Sequence, residues 1–183
     1  MDPRIFKVLK LPDQRDFNNR LKPFLLDLAK NEVDFRIKQR GSIADDSWLD
    51  RHQYFPLETS WHSDDRLFEM DIMEPLCRFI YSVVNNDFRL TSMWAKIAQS
   101  GNAGSRHRHR GDVSGIYYVD VGYAEGEIKS GAINFYHEGD KYSIEPEDGN
   151  VIIFPASMFH DVDVYLGSSP RINISWNMHD VLR

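Results

Sequence analysis

From residue 88 onward the chain is a succession of short runs rich in β-branched and aromatic residues, 88–99, 113–121, 131–136, 141–145, 150–154, 158–165 and 171–178. Turn formers separate them: Gly101-Asn102, Gly122, Gly126, Gly131, Glu138-Gly139-Asp140, Asp148-Gly149-Asn150 and Gly167-Ser168-Ser169-Pro170. Many short strands at close spacing cannot each find a separate core; they are stable when stacked as two sheets or closed into a barrel. The spacing predicts a mainly β fold, with a double-sheet jelly roll as the natural form. At 183 residues the chain fits a single domain, 1–183. The expectation is a helical N-terminal part over 1–87, packed on one face of a barrel formed by 88–183.

Before residue 88 the apolar rhythm is helical. Phe17, Leu21, Phe24, Leu25 and Leu28 follow the spacing of one buried helix stripe, with Asp13 as its capping residue and Pro23 as a possible kink. Ser63-Asp64-Asp65 reads as a second helix start, because acidic groups suit the positive N-terminal end. Leu76, Phe79, Ile80, Val83 and Val84 supply that helix with a strong apolar face, and Pro75 suits its first turn. Residues 31–60 are polar and irregular, with Phe35, Trp48, Tyr54 and Phe55 as scattered aromatics, and read as loop and short strands.

Several classes of function are excluded or disfavoured. Hydrophobic residues make up 42% and aromatics 13%, enough for a sizeable core and too much for a disordered chain. The net charge of −6 argues against a nucleic-acid binder. The single cysteine, Cys77, cannot form an internal disulfide and reads as a small buried hydrophobe. Neither a signal-like start nor an apolar run of the roughly 18–20 residues needed for a membrane span is present. No membrane partner and a cytoplasmic setting are expected.

The sharpest local feature is His107-Arg108-His109. Residues two apart on an extended strand face the same side, so both imidazoles can converge on one ion. His160 follows the run Val151-Ile152-Ile153-Phe154-Pro155 and can face them from another strand of an antiparallel barrel. Histidine suits divalent iron, zinc, copper and nickel. On the pattern alone a second reading stays open, in which Arg106-His107-Arg108-His109-Arg110 is a solvated basic patch or a local anion site. His52, His62, His137 and His179 lack a comparable pattern and read as surface or structural. Arg171 heads the alternating run Arg171-Ile172-Asn173-Ile174-Ser175-Trp176-Asn177, eleven residues after His160. It is either an ordinary strand-edge arginine or the bidentate anchor of a dicarboxylate bound at the metal.

Taken in order, a set of segments resembles a known family. They are Ser60-Trp61-His62-Ser63, Trp94-Ala95-Lys96-Ile97, His107-Arg108-His109, Ser114-Gly115-Ile116-Tyr117-Tyr118-Val119, Gly131-Ala132-Ile133-Asn134-Phe135, the stretch from Pro146 to Pro155, His160, and Arg171 to Asn177. In their order and spacing they are similar to the "putative 2OG-Fe(II) oxygenase" family of bacteria and their phages, within the 2-oxoglutarate/Fe(II)-dependent dioxygenase superfamily. The resemblance implies a double-stranded β-helix, the cupin-like form of the jelly roll, and Fe(II), 2-oxoglutarate and O₂ as reactants. By position His107 would be the proximal ligand, His160 the distal ligand and Arg171 the partner of the cosubstrate carboxylate. The wider superfamily usually has a carboxylate two residues after the first histidine; here that position is His109, as in the narrower family. Asp112 could substitute if its loop curls inward, whereas Asp161 faces away from its neighbour His160. Lys96 stands where the family often has Asn, and Asn173 where relatives often have Ser. Lys96 could lie near the cosubstrate or point to solvent. Tyr117 and Tyr118 face opposite ways on a strand, and Tyr118 is the one expected to donate its hydroxyl to the cosubstrate.

The expected set is therefore His107, His109 and His160 for the metal and Arg171, Tyr118, Asn173 and Lys96 for the cosubstrate, with no catalytic side chain beyond the ligands. The implied activity is hydroxylation of a small-molecule or peptide substrate with release of succinate and CO₂. Two alternatives stand beside it: a cupin-type three-histidine metalloenzyme that does not use 2-oxoglutarate, and a non-catalytic binding barrel. Residues 36–60 and 122–130 are the expected specificity loops.

Overall fold

The computed structural model describes residues 6–32, 60–84 and 87–182. Among the described residues ten strands form two antiparallel sheets. In chain order they are β1 (Lys7–Lys10), β2 (Trp61–His62), β3 (Phe88–Ala98), β4 (Gly104–His107), β5 (Val113–Asp120), β6 (Ile133–His137), β7 (Asp140–Ile144), β8 (Asn150–Pro155), β9 (Phe159–Val162) and β10 (Arg171–Asp180). The larger sheet has the order β1-β8-β5-β10-β3-β2 and the smaller β4-β9-β6-β7. This pairing of distant strands across two facing sheets is the double-stranded β-helix.

The larger sheet has an apolar back and a mixed front. On the back, Met93, Ala95, Tyr117, Val151, Ile172, Ile174, Trp176 and Met178 join the helices in one core. Helix α1 (Gln14–Asn31) buries Phe17, Leu21 and Leu25 there, and α2 (Glu74–Val83) buries Leu76 and Ile80. Asn18 ties α1 to β5, donating to the Val119 carbonyl at 2.7 Å and accepting from the Tyr117 hydroxyl at 2.5 Å. The front holds Ile116, Tyr118, Ile152 and Phe154, packed against Ile133, Phe135 and Met158 in a second core between the sheets.

One position shows how closely the back is fitted. Gly115 lies opposite Trp176 in the β5–β10 register, and a Cβ there would sit 2.1 Å from the indole ring. The ring thus covers a bare stretch of backbone that no larger residue could share.

The helices depart from their expected boundaries in instructive ways. Ser63 does not start a helix, because its hydroxyl donates to the Asp64 carbonyl and accepts the Ala95 backbone N–H, which ties it to β3. Two short 3₁₀ turns, Leu67–Glu69 and Asp71–Met73, intervene before α2. Asp13 adopts φ 51° and makes no side-chain cap, although α1 begins next to it. Pro23 sits inside α1 without ending it, since both Pro23 and Asn19, whose carbonyl loses its donor, are exposed to water. Phe35, Trp48, His52, Tyr54, Phe55 and most of the 36–60 segment lie outside the described residues.

Candidate metal centre

Strands β4 and β9 pair so that His107 and His160 are direct partners. The strand ends at His107, and His109 is carried on the following loop, where its backbone N–H donates to the Ala156 carbonyl at 2.9 Å. That bond brings the third imidazole back over the same cavity. Each histidine offers a ring nitrogen, and the three atoms lie within 4.8 Å of one another. His109 Nε2 and His160 Nε2 are 3.2 Å apart.

The surroundings set the tautomers. His107 Nδ1 is 2.7 Å from the Ser105 carbonyl and His160 Nδ1 is 3.1 Å from the Met158 carbonyl. A carbonyl only accepts, so both Nδ1 atoms carry the hydrogen and both Nε2 atoms keep a lone pair for a metal. Burial pushes His109 down to about 3, with the neighbouring His107 and His160 adding to the effect. Burial likewise takes His160 down to about 4, with His107 adding to it and Lys96 contributing a smaller push in the same direction. Both rings are neutral near pH 7, the form that ligates metal.

The three imidazoles open into a cavity of about 340 Å³ between the sheets, lined also by Trp94, Lys96, Tyr118, Arg171, Asn173 and His62. Arg171 is the unusual group there. It is 3% exposed, and its Nη1 donates to the Gly131 carbonyl at 2.8 Å, while Nε has no hydrogen-bond partner. Its guanidinium carbon lies 5.0 Å from the Tyr165 ring centre. Among the described residues no carboxylate forms an ion pair with it. A buried guanidinium without an anion is costly, so its fork is suited to a carboxylate brought by a ligand. Gly131 makes room for it: at φ +67°, a Cβ there would fall 2.3 Å from Nη1.

A row of side chains runs beside Arg171. Tyr118 on β5, Asn173 on β10, Lys96 on β3 and His62 on β2 are successive register partners across four neighbouring strands, and all four line the cavity. Tyr118 is buried and its hydroxyl is pushed up to about 12, chiefly by burial and against the pull of the Arg171 charge. It therefore stays protonated and available as a donor. Tyr117 points the other way, onto Phe17 and Asn18. Lys96, for which sequence left two orientations open, lies on the cavity wall.

Sequence reasoning missed several lining residues, Trp94 and His62 among them. Trp94 shares a face with Lys96, two residues away, and could have been found by that spacing; its ring centre is 5.7 Å from that of His109. His62, read as surface or structural, enters through the β2–β3 pairing, which leaves no local pattern. Other candidates are elsewhere. The Asp112 carboxylate accepts the Asp180 backbone N–H at 2.9 Å and lies beside His179, at the far end of β10. Asp161 bonds Asn134, Tyr136 and Arg106, which places it on the opposite face of β9 from His160. Arg106 lies over Tyr136 and Arg108 over Phe159, so these arginines do not line the cavity.

Imidazoles clustered as a donor set, with an anion-seeking arginine buried in the same double-stranded β-helix, suit a metal ion and a carboxylate ligand. Similarity to known proteins points the same way. Residues 92–177, from β3 to β10, match the profile described as "Putative 2OG-Fe(II) oxygenase". That segment is similar to the 2-oxoglutarate-dependent non-haem iron oxygenases, a family whose cofactors are Fe(II) and 2-oxoglutarate. The orphaned Arg171 Nε and the three imidazole donors fit that pair. No curated protein matches the chain. Solved structures share its fold. A prolyl-4-hydroxylase from Pseudomonas putida superposes with a TM-score of 0.65 at 11% identity, covering 95% of this chain and 92% of that one. A prolyl hydroxylase from Trichoplax adhaerens, in complex with a peptide fragment of the hypoxia inducible factor oxygen degradation domain, gives 0.66 at 13%, covering 96% and 83%. HygX from Streptomyces hygroscopicus, with nickel, 2-oxoglutarate and hygromycin B bound, gives 0.65 at 10%, covering 95% and 82%.

Proposed function

We propose that this chain, acting as one domain, hydroxylates a small-molecule or peptide substrate with release of succinate and CO₂. The observation that carries the reading is Arg171: a buried cation in the metal-site cavity whose Nε has no partner in the protein. Fe(II) and 2-oxoglutarate, when bound with O₂, supply the oxidising power to place an oxygen atom on a C–H bond.

The protein's part is geometry and exclusion. His107, His109 and His160 would hold the metal through their ring nitrogens. Arg171 takes the distal carboxylate of 2-oxoglutarate in a bidentate pair, and Gly131 keeps the arginine in place. Tyr118 donates its hydroxyl to the cosubstrate. Asn173 and Lys96, next in register after Tyr118 on the cavity wall, would border the bound cosubstrate. Phe154, Ile133 and Val162 give the cavity apolar walls that keep water from the reacting centre. Both substrate classes have a parallel among the fold relatives, one holding a peptide and one hygromycin B. No helix among the described residues is long and apolar enough to cross a membrane. A reducing cytoplasm suits the lone Cys77, whose thiol is pushed up to about 11, mainly by burial.

The test is succinate formation from 2-oxoglutarate by the Fe(II)-loaded protein in air. Slow release without added substrate, abolished by His160→Ala, is expected. No succinate above the metal-only control, with iron content confirmed, would sink the proposal.

A further inference from the structure

A carboxylate subsite depends on where the Arg171 fork points, and an arginine side chain alone does not fix that. Its stem is long and flexible, and holding it in one geometry costs rotamer entropy. Nη1 donates to the Gly131 carbonyl at 2.8 Å, which pins one point and leaves the plane able to turn about it. A second constraint lies behind the guanidinium, whose carbon sits over the Tyr165 ring, 5.0 Å from its centre. An aromatic face attracts a cation without taking up any of its N–H donors, so Nε stays available to a ligand.

Tyr165 is itself fastened from several sides. It lies on the connection between β9 and β10, fully buried and off the cavity wall. Its backbone N–H donates to the Asn102 carbonyl at 2.8 Å, and its carbonyl accepts from the Gly101 N–H at 2.7 Å. Its hydroxyl shares one hydrogen between the Gly122 carbonyl, at 3.0 Å, and the Ser169 carbonyl. A Cβ at Gly122 or Gly167 would fall 2.2 or 2.0 Å from that oxygen, so a side chain at either place would evict the ring. The β3–β4 turn, the β5–β6 loop and the β9–β10 connection therefore converge on one residue. Tyr123 extends the framework: its ring centre is 5.6 Å from that of Tyr165, and its hydroxyl accepts the Ser130 N–H at 2.7 Å, next to the Gly131 carbonyl that receives Arg171.

We infer that Tyr165 is a positioning residue of the cosubstrate site: its ring fixes the plane and depth of the Arg171 fork, and thereby the length of keto dicarboxylate that can span from the fork to the metal. The inference rests on the oxygenase reading above and deepens it. The connection that carries Tyr165 also joins His160 on β9 to Arg171 at the head of β10, so one short segment sets the separation of the metal site and the carboxylate subsite.

The test is calorimetric titration of Mn(II)-loaded protein with 2-oxoglutarate, with 2-oxoadipate, which is one methylene longer, and with pyruvate, which has the same metal-binding head and no distal carboxylate. Tyr165→Phe releases the ring from the Gly122 and Ser169 carbonyls and should weaken 2-oxoglutarate about fivefold. Tyr165→Leu removes the ring and should weaken it about thirtyfold. In both, the preference for 2-oxoglutarate over 2-oxoadipate should narrow, while pyruvate binds within roughly twofold of the unaltered protein. In an Arg171→Met background Tyr165→Phe should cost nothing further, because the group it positions is gone. Equal losses for pyruvate and 2-oxoglutarate overturn the inference alone. So does an unchanged preference between the two dicarboxylates, a full additional loss in the Arg171→Met background, or a Tyr165→Phe protein that binds 2-oxoglutarate as the unaltered one does. If Tyr165→Leu does not fold, the Phe variant and the double variant decide. Failure of the unaltered metal-loaded protein to bind 2-oxoglutarate removes the oxygenase reading and this inference together.

Discussion

Strand β10 has two faces that share a backbone and little else. Ile172, Ile174, Trp176 and Met178 are fully buried against the helices. Arg171, Asn173 and Ser175 alternate with them and face the cavity. Asn177 continues the polar series, accepting from Ser114 at 2.6 Å and donating to Ser92 at 3.0 Å. The back stabilises by apolar burial and is sensitive to volume. The front buries polar groups that contribute little to stability and, in the case of Arg171, work against it. Stability and ligand binding should therefore separate cleanly along a single strand.

The largest effect falls on the back. Trp176→Ala removes the ring that covers Gly115 and should destabilise the protein by about 3–5 kcal/mol in chemical denaturation. Below its unfolding transition the variant should still bind 2-oxoglutarate within roughly threefold of the unaltered protein. A comparable loss of affinity and of stability would break the separation. Arg171→Met is the converse. It should weaken 2-oxoglutarate binding roughly a hundredfold, about 2.7 kcal/mol, while the melting temperature holds or rises because a buried unpaired charge is gone. Gly131→Ala sharpens the same point from the partner side: a methyl 2.3 Å from Nη1 at φ +67° must displace the guanidinium. Affinity for 2-oxoglutarate should fall roughly tenfold, with about 1 kcal/mol of backbone strain seen in denaturation. The smallest effect is Tyr118→Phe, which keeps the packing and removes one donor. It should cost about 1 kcal/mol in 2-oxoglutarate binding and less in stability.

Period-two patterns make much of this division legible in the sequence. The alternation from Arg171 to Asn177 separates the two faces directly, and the His-x-His spacing brings two imidazoles to one side although only His107 is within the strand. The same rule parts Tyr117 from Tyr118; which one faces inward depends on the docking of α1 through Phe17 and Asn18. Features set by distant pairing are not legible in this way. The two residues of β2 are too few to show a period, so His62 has no signal of its own. Ser63 has the chemistry of a helix cap, but the Ala95 backbone N–H claims its oxygen. Gly131 reads as a turn glycine in sequence, and its fit beneath Arg171 emerges only once β6 and β10 are brought together.

The central claim is that three imidazoles and one buried arginine hold a metal and a keto dicarboxylate together. Titration of 2-oxoglutarate into the protein with and without Mn(II), followed by calorimetry, tests it most directly. The expected result is one molecule per chain, bound tightly only when the metal is present and lost in Arg171→Met. Binding that ignores both the metal and Arg171, or no binding to the metal-loaded protein, would contradict it.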